Sequence, residues 1–205
     1  MPTPELLYFD LGKVLVDFDH QQMFRQIADV SGTDATTVSQ ILTDADLQRR
    51  HETGALSTRE FYEQFCEMTG TRPALEELSE AVNAIFALRP SMEPVVRHLH
   101  ATGWRLGILS NTFEGHWLYC REHYPVLAEC FSVFALSYEL GAMKPDPRIY
   151  RAAAELAGVR PEAIFFTDDI AGNVAAARKV GFDAVQYTGT EALVEALRER
   201  GVAPS

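Results

Sequence analysis

Several side chains in this sequence stand where their types and spacing could do chemistry. They are Asp10 in LLYFDLGKVLVD (6–17), Ser110 in ILSNT (108–112), Lys144 in GAMKPDPRIY (141–150), and Asp168 with Asp169 in AIFFTDD (163–169). An ionised carboxylate beside an almost wholly apolar run is expensive unless a cation or several donors meet it. Asp10 therefore either closes a strand and faces something charged, or its segment is not a buried strand. Two further apolar runs also end in polar residues, at Ser110-Asn111-Thr112 and at Asp168-Asp169. In an open parallel sheet, ligands bind at the carboxyl ends of the strands. If the three ends converge, Asp10, Asp168 and Asp169 offer hard oxygen ligands suited to Mg²⁺, and without a cation they repel one another. Such an ion keeps positions open for water and for a substrate phosphate. Ser110 and Asn111, with the backbone N–H groups after the strand, are the candidate phosphoryl-binding residues. Lys144 suits a phosphate or the attacking carboxylate. Taken singly, an Asp at a strand end is more often a turn former or a helix cap. What distinguishes the set is its joint occurrence, in order, each member at the end of an apolar strand or the start of a helix.

The elements that must position these residues alternate from about residue 87. SMEPVVRHLHATG (91–103) reads as a helix with Ser91 as N-cap, and WRLGILSNT (104–112) as a strand. VFALS (133–137) is a short strand, DPRIYRAAAELAGV (146–159) a helix stopped by Gly158, and AIFFTDD a third strand. NVAAARKVG (173–181), DAVQYTG (183–189) and EALVEALRERG (191–201) follow as helix, strand and helix. Near-continuous apolar strands separated by helices imply an α/β fold, a doubly wound parallel sheet covered on both faces. Residues from about 20 to 86 differ. QQMFRQIADVSG, TVSQILTDADLQRRHETG, STREFYEQFCEMTG and ALEELSEAVNAIFALRP all show helical spacing, broken by Gly or Pro, and no strand is expected there. The expected division is therefore an α/β core of 1–19 and 87–205 with a helical insert over 20–86.

Composition narrows the function. At 205 residues the chain is long enough for one sizeable domain, or for one core with a smaller insert, and its net charge of −11 disfavours nonspecific nucleic-acid or acidic-membrane binding. An anionic substrate would need local positive charge that this average conceals. Cys66, Cys120 and Cys130 are scattered and odd in number, which suggests neither a zinc site nor a disulfide framework. MPTPELLYF lacks a basic n-region and its apolar run is short, so a reducing, cytoplasmic location is expected.

FDLGKVL, ILSN, the Lys of MKPD and FFTDD, in that order, resemble the four motifs of haloacid dehalogenase-like (HAD) hydrolases over essentially the whole chain. The insert resembles the small helical cap of subfamily I. HETGALSTREFYEQF resembles cap helices of members near the epoxide hydrolase N-terminal phosphatase and the bacterial α-glucose-1-phosphatases, and SNTFEGHW followed by EHYPVL resembles the latter group. The resemblance implies a Rossmann-like core in which Asp10 is the nucleophile that forms an aspartyl-phosphate. Ser110 would bind the phosphoryl group and Lys144 would steady nucleophile and phosphate. Asp169 would ligate Mg²⁺ together with Asp10 and the Gly12 carbonyl, with Asp168 a ligand or a neighbour of one. Asn173 would order the loop, and the cap would close over the site and choose the substrate.

The departure lies in the first motif. Gly12 stands where the family commonly has the Asp that protonates the leaving group, and Lys13 follows it. General acid assistance is typically worth about 10²–10⁴-fold, so a slower or more selective enzyme, or one with a substitute acid, is expected. Asp17, His20 and His116 are the candidate substitutes. If the turn at Lys13 needs a positive φ, the strain is roughly 1–2 kcal/mol. Arg49, Arg50 and His51 either meet a phosphate or sugar or form a solvated helix face. The leading expectation is a Mg²⁺-dependent phosphatase for a small phosphorylated metabolite, with sugar phosphates as one candidate. The alternatives are a metal-independent haloacid dehalogenase, which the Asp168-Asp169 pair disfavours, and a non-catalytic binding protein, which Gly12 and Lys13 favour.

Overall fold

The computed structural model describes residues 3–202. Its sheet is built from β1 (Leu6–Phe9), β4 (Leu106–Ser110), β5 (Val133–Leu136), β6 (Ile164–Asp168) and β7 (Asp183–Gln186), with all neighbours parallel in the order β5-β4-β1-β6-β7. Alternate residues of each strand enter different cores, which is why the strands read as unbroken apolar runs. Leu7, Phe9, Ile108 and Phe165 pack with α6 (Met92–Ala101) and α12 (Thr190–Arg198). Leu6, Tyr8, Leu109 and Phe166 pack on the other face with α10 (Pro147–Ala157) and α11 (Ala171–Val180). This is the doubly wound α/β architecture expected from the sequence. The three cysteines are buried thiols, and no helix among the described residues is long and apolar enough to cross a membrane.

Between the first and second core strands lie α1 (His20–Ser31), α2 (Ala35–Leu42), α3 (Ala45–Glu52), α4 (Thr58–Thr69) and α5 (Leu75–Asn83). Their starts follow from local chemistry. Asp19, Asp34 and Asp44 accept backbone N–H bonds as N-caps, and Ser57 with Glu60 forms a capping box. Their apolar stripes close on one another around Phe24, Ile27, Val38 and Phe65, a core separate from those of the sheet.

Three expectations need correction. ALEELSEAVNAIFALRP is not one helix: α5 stops at Asn83, and β3 (Phe86–Leu88) pairs antiparallel with β2 (Val16–Phe18), so strand begins at the end of the stretch read as wholly helical. The backbone leaves the helix at Ala84, where ψ is 53°, and Arg89 N–H then donates to Leu15 O, fixing the ribbon. Ser91 precedes α6 but does not cap it; its hydroxyl bonds Thr190 Oγ1 instead. The third correction adds α7 (Glu114–His123), α8 (Pro125–Cys130) and α9 (Ser137–Leu140), to which the sequence reading assigned no element.

Candidate active site

Pairing of β1 with both β4 and β6 sets Phe9 level with Ile108 and Thr167, so Asp10, Ser110 and Asp168 leave the sheet along one edge. Lys144 arrives there from the segment before α10. Its buried ammonium donates to Leu109 O at 3.0 Å and to Asp168 Oδ2 at 2.7 Å, and pairs with Asp10 Oδ1 at 2.8 Å. Burial opposes charge on Lys144, but the two carboxylates outweigh it and raise its pKa, so it stays an ammonium. Asp10 Oδ1 also accepts from Leu11 N–H at 2.7 Å. Burial, opposed by Lys144 and reinforced by Asp168, pushes Asp10 up to about 7.

Asp168 is fully engaged. Besides Lys144, it accepts from Asn173 Nδ2 at 3.0 Å on each oxygen and from Ile170 N–H at 2.8 Å. Asn173 thus orders the loop by holding Asp168. Asp169 is only half-buried, and its carboxyl is raised by desolvation and by Asp168 beside it. One oxygen from each of Asp10, Asp168 and Asp169 lies within 4.8 Å of the others. Three carboxylates against one ammonium leave an excess of negative charge among hard donors, and these residues fit a divalent cation. The fit is best for Asp10 and Asp169, because Asp168 has its protein partners already.

Asn111 serves the site indirectly. Its amide donates to Lys144 O at 2.9 Å and accepts from Lys144 N–H at 2.7 Å, a two-point clamp on the segment that delivers the ammonium. Ser110 is buried at the strand end. Thr112 N–H donates to Ser137 Oγ, which donates back to Thr112 O, both at 2.9 Å, fixing the loop after β4 to the end of β5.

The first-motif turn explains its own departures. Lys13 has φ 60° and is the one non-glycine with positive φ among the described residues. Its N–H closes the turn on Val16 O, while its ammonium donates to Phe18 O at 2.8 Å and sits 4.4 Å from the Phe18 ring centroid. The same ring fills the space beside Gly12, where a Cβ would come within 2.8 Å of Phe18 Cε1. Sequence reasoning missed Phe18, because nothing in VDFDH marks a ring folded back over the turn.

A cavity of 160 Å³ is lined by Asp10, Gly12, Lys13, Ser110, Lys144 and Asp169. It shares Gly12, Phe18, Ser110 and Asn111 with a second of 200 Å³, which reaches His20, Gln48, Glu52 and His116. Those four residues also line a third, of 120 Å³, against His51, Phe61 and Phe113. The candidate substitutes for the missing acid fare poorly. Asp17 pairs with Arg89 at 2.6 Å. Burial depresses His20, and it drives His116, which bonds Val82 O through Nε2, down to about 3. Arg49 lies on an exposed face, paired with Asp46 at 2.8 Å, whereas His51 is buried between the rings of Phe61 and Phe113.

The parallel sheet gathers a buried lysine among aspartates at its carboxyl edge, and residues 5–181 match the model of the haloacid dehalogenase-like hydrolase family. The chain belongs to that family. It is 27% identical, over 88% of its length and 90% of the relative's, to a D-ribitol-5-phosphate phosphatase of Bacteroides thetaiotaomicron. A phosphoglycolate phosphatase of Cereibacter sphaeroides is 30% identical over 48% of this chain and 44% of its own. Among solved structures, a HAD family enzyme of Bacteroides thetaiotaomicron in complex with magnesium and inorganic phosphate superposes with a TM-score of 0.80 at 24% identity, covering 89% of this chain and 93% of that one. A HAD-like hydrolase of Porphyromonas gingivalis gives 0.81 at 22% identity over 96% and 98%.

Proposed function

We propose that the protein is a Mg²⁺-dependent phosphatase that hydrolyses small phosphate monoesters, sugar or polyol phosphates in the first place, through an aspartyl-phosphate on Asp10. The observation that carries this reading is the Lys144 ammonium held between Asp10 and Asp168 on the edge that also presents Ser110 and Asp169. Asp10 Oδ1 is held by Leu11 N–H and Lys144, which leaves Oδ2 as the oxygen to attack phosphorus. Attack by Oδ2 breaks the ester P–O bond and gives the acyl phosphate; water then attacks phosphorus and returns Asp10. Lys144 balances charge as the carboxylate becomes an ester, and Ser110 with the N–H groups beyond β4 receives phosphoryl oxygens. Asp10, Asp169 and the Gly12 carbonyl would hold Mg²⁺, whose charge offsets that of the phosphoryl group. The magnesium in the related crystal structure supports the choice of metal. Residues 20–86 act as the cap and 1–19 with 87–205 as the core, and the cavity between them holds the leaving group. The polyol phosphate named for the 27% identical relative supports the substrate class, as do Gln48, Glu52 and His20 on the cavity wall.

Assays of p-nitrophenyl phosphate and a sugar- and polyol-phosphate panel, with Mg²⁺ and with EDTA, test the reading. Turnover should require Mg²⁺ and fall by about 10⁴-fold or more in Asp10→Asn. Turnover that survives either change defeats it.

A further inference from the structure

The family's usual acid is absent at Gly12, and the structure shows that the place is also closed. A Cβ on residue 12 meets the Phe18 ring at 2.8 Å, and the Lys13 ammonium lies over that ring, 4.4 Å from its centroid. A phosphate ester of a poorly acidic alcohol still leaves as an alkoxide, and a proton must reach it. Three titratable side chains line the cavity that opens from Gly12, Ser110 and Asn111: His20, His116 and Glu52.

We propose that Glu52, the last residue of α3, is the proton donor to the leaving alcohol. The inference rests on the phosphatase reading of the site. Glu52 lines the same cavity as Gly12 and Ser110, and Gln48, one turn earlier on α3, donates its amide to Glu52 Oε1 at 2.8 Å. This bond leaves Oε2 to carry the proton. Among the described residues Glu52 has no ion pair, and it sits at the carboxyl end of a helix, where an anion is disfavoured. Burial raises the Glu52 pKa against the Gln48 hydrogen bond and the Lys144 charge, the direction a proton donor needs, whereas burial lowers both histidines. When Asp10 bonds to phosphorus, the ester P–O bond breaks, and its electron pair takes the proton from Glu52 Oε2, releasing the alcohol. Glu52, now a carboxylate, takes a proton from the water that attacks the acyl phosphate. Phosphate leaves, Asp10 is regenerated, and Glu52 is again an acid.

The experiment uses the Mg²⁺-loaded full chain and a series of esters: p-nitrophenyl phosphate, unsubstituted phenyl phosphate and an alkyl phosphate. Glu52→Gln keeps the size and the contact with Gln48 but carries no acidic proton. Its kcat should fall by about 10²–10⁴-fold on the alkyl ester, less on phenyl phosphate, and within a few-fold of wild type on p-nitrophenyl phosphate, whose anion leaves unaided. Glu52→Asp should recover part of the alkyl-ester rate. A role in binding hydroxyls or in folding would instead raise KM or slow all esters alike. Equal slowing of the three esters, or none, overturns the proposal while leaving the phosphatase reading intact. No wild-type turnover of any ester overturns that reading and this inference together.

Discussion

The edge of the sheet and the helical layer above it satisfy their polar groups in different ways. At the edge, Lys144, Asp168 and Asn173 are buried and each is tied to named partners at 2.7–3.0 Å. Among the described residues of the helical layer, Gln26 Oε1, His51 Nε2 and Asn83 Oδ1 are buried without a partner, whereas at the edge the uncharged Thr167 Oγ1 shares that state and the charged groups do not. Buried polar groups are ordinarily paired, so the ion-paired edge is preset, while His51 on the wall of the 120 Å³ cavity keeps a ring nitrogen free for a further contact. Fixed dipoles at the reacting centre cost no reorganisation during reaction.

The comparison can be broken first at its most constrained point. Lys144→Met removes the cation between Asp10 and Asp168 and leaves the two carboxylates facing each other. A loss of about 3–5 kcal/mol in urea unfolding is expected, because one partner of a buried ionic cluster is gone. Phosphatase activity should disappear with it. A variant of wild-type stability would show that the carboxylates are not held by Lys144.

Gly54 tests how the two regions meet. It follows α3 with φ +69°, and a Cβ there would fall inside the contact distance of Tyr138 O in α9. Gly54→Ala should therefore cost about 2–4 kcal/mol, from left-handed strain plus overpacking. A thermal melt unchanged by Gly54→Ala would mean that the layer is not seated so closely on the core.

His51 gives an effect of similar or smaller size, read by pH. Burial between Phe61 and Phe113 lowers it from 6.5 to about 4. Because its folded pKa is depressed, the unfolded chain binds the proton first. The stability is present above about pH 6.5 and is lost as pH falls toward 4, by at most roughly 3 kcal/mol. His51→Phe should flatten that part of the stability profile; an unchanged slope would place the titration elsewhere.

The smallest effect is at the first-motif turn. Gly12→Asp should lower stability by about 1–3 kcal/mol, since its Cβ forces the Phe18 ring to move. It should not raise phosphatase activity unless Phe18 is also cut back, as in Gly12→Asp with Phe18→Ala. A gain from the single change would show that the ring yields freely.

The strands and the edge residues were legible because their signals are local and strong. YFD, ILSNT and FFTDD each couple an apolar run to polar residues, and a parallel sheet leaves only one edge for them to share. What could not be read is where contacts, not sequence, decide. IFALRP looks helical after EELSEAVNA, yet pairing of Phe86–Leu88 with Val16–Phe18 makes it strand. Asn111 looks like a ligand-binding residue, and only the loop geometry shows its amide clamped to Lys144. Glu52 in HETG carries no chemical mark in one dimension. Its meaning comes from the cavity it shares with Gly12 and Ser110.

The claim beneath all of this is that the Asp10 carboxylate accepts phosphorus, and it can be met directly. Protein quenched during turnover of a phosphate ester with Mg²⁺, then reduced with borohydride, should show homoserine at position 10 by peptide mass spectrometry, and none in Asp10→Asn. Steady turnover with position 10 left as aspartate, or with an acyl phosphate found at another carboxylate, would contradict it.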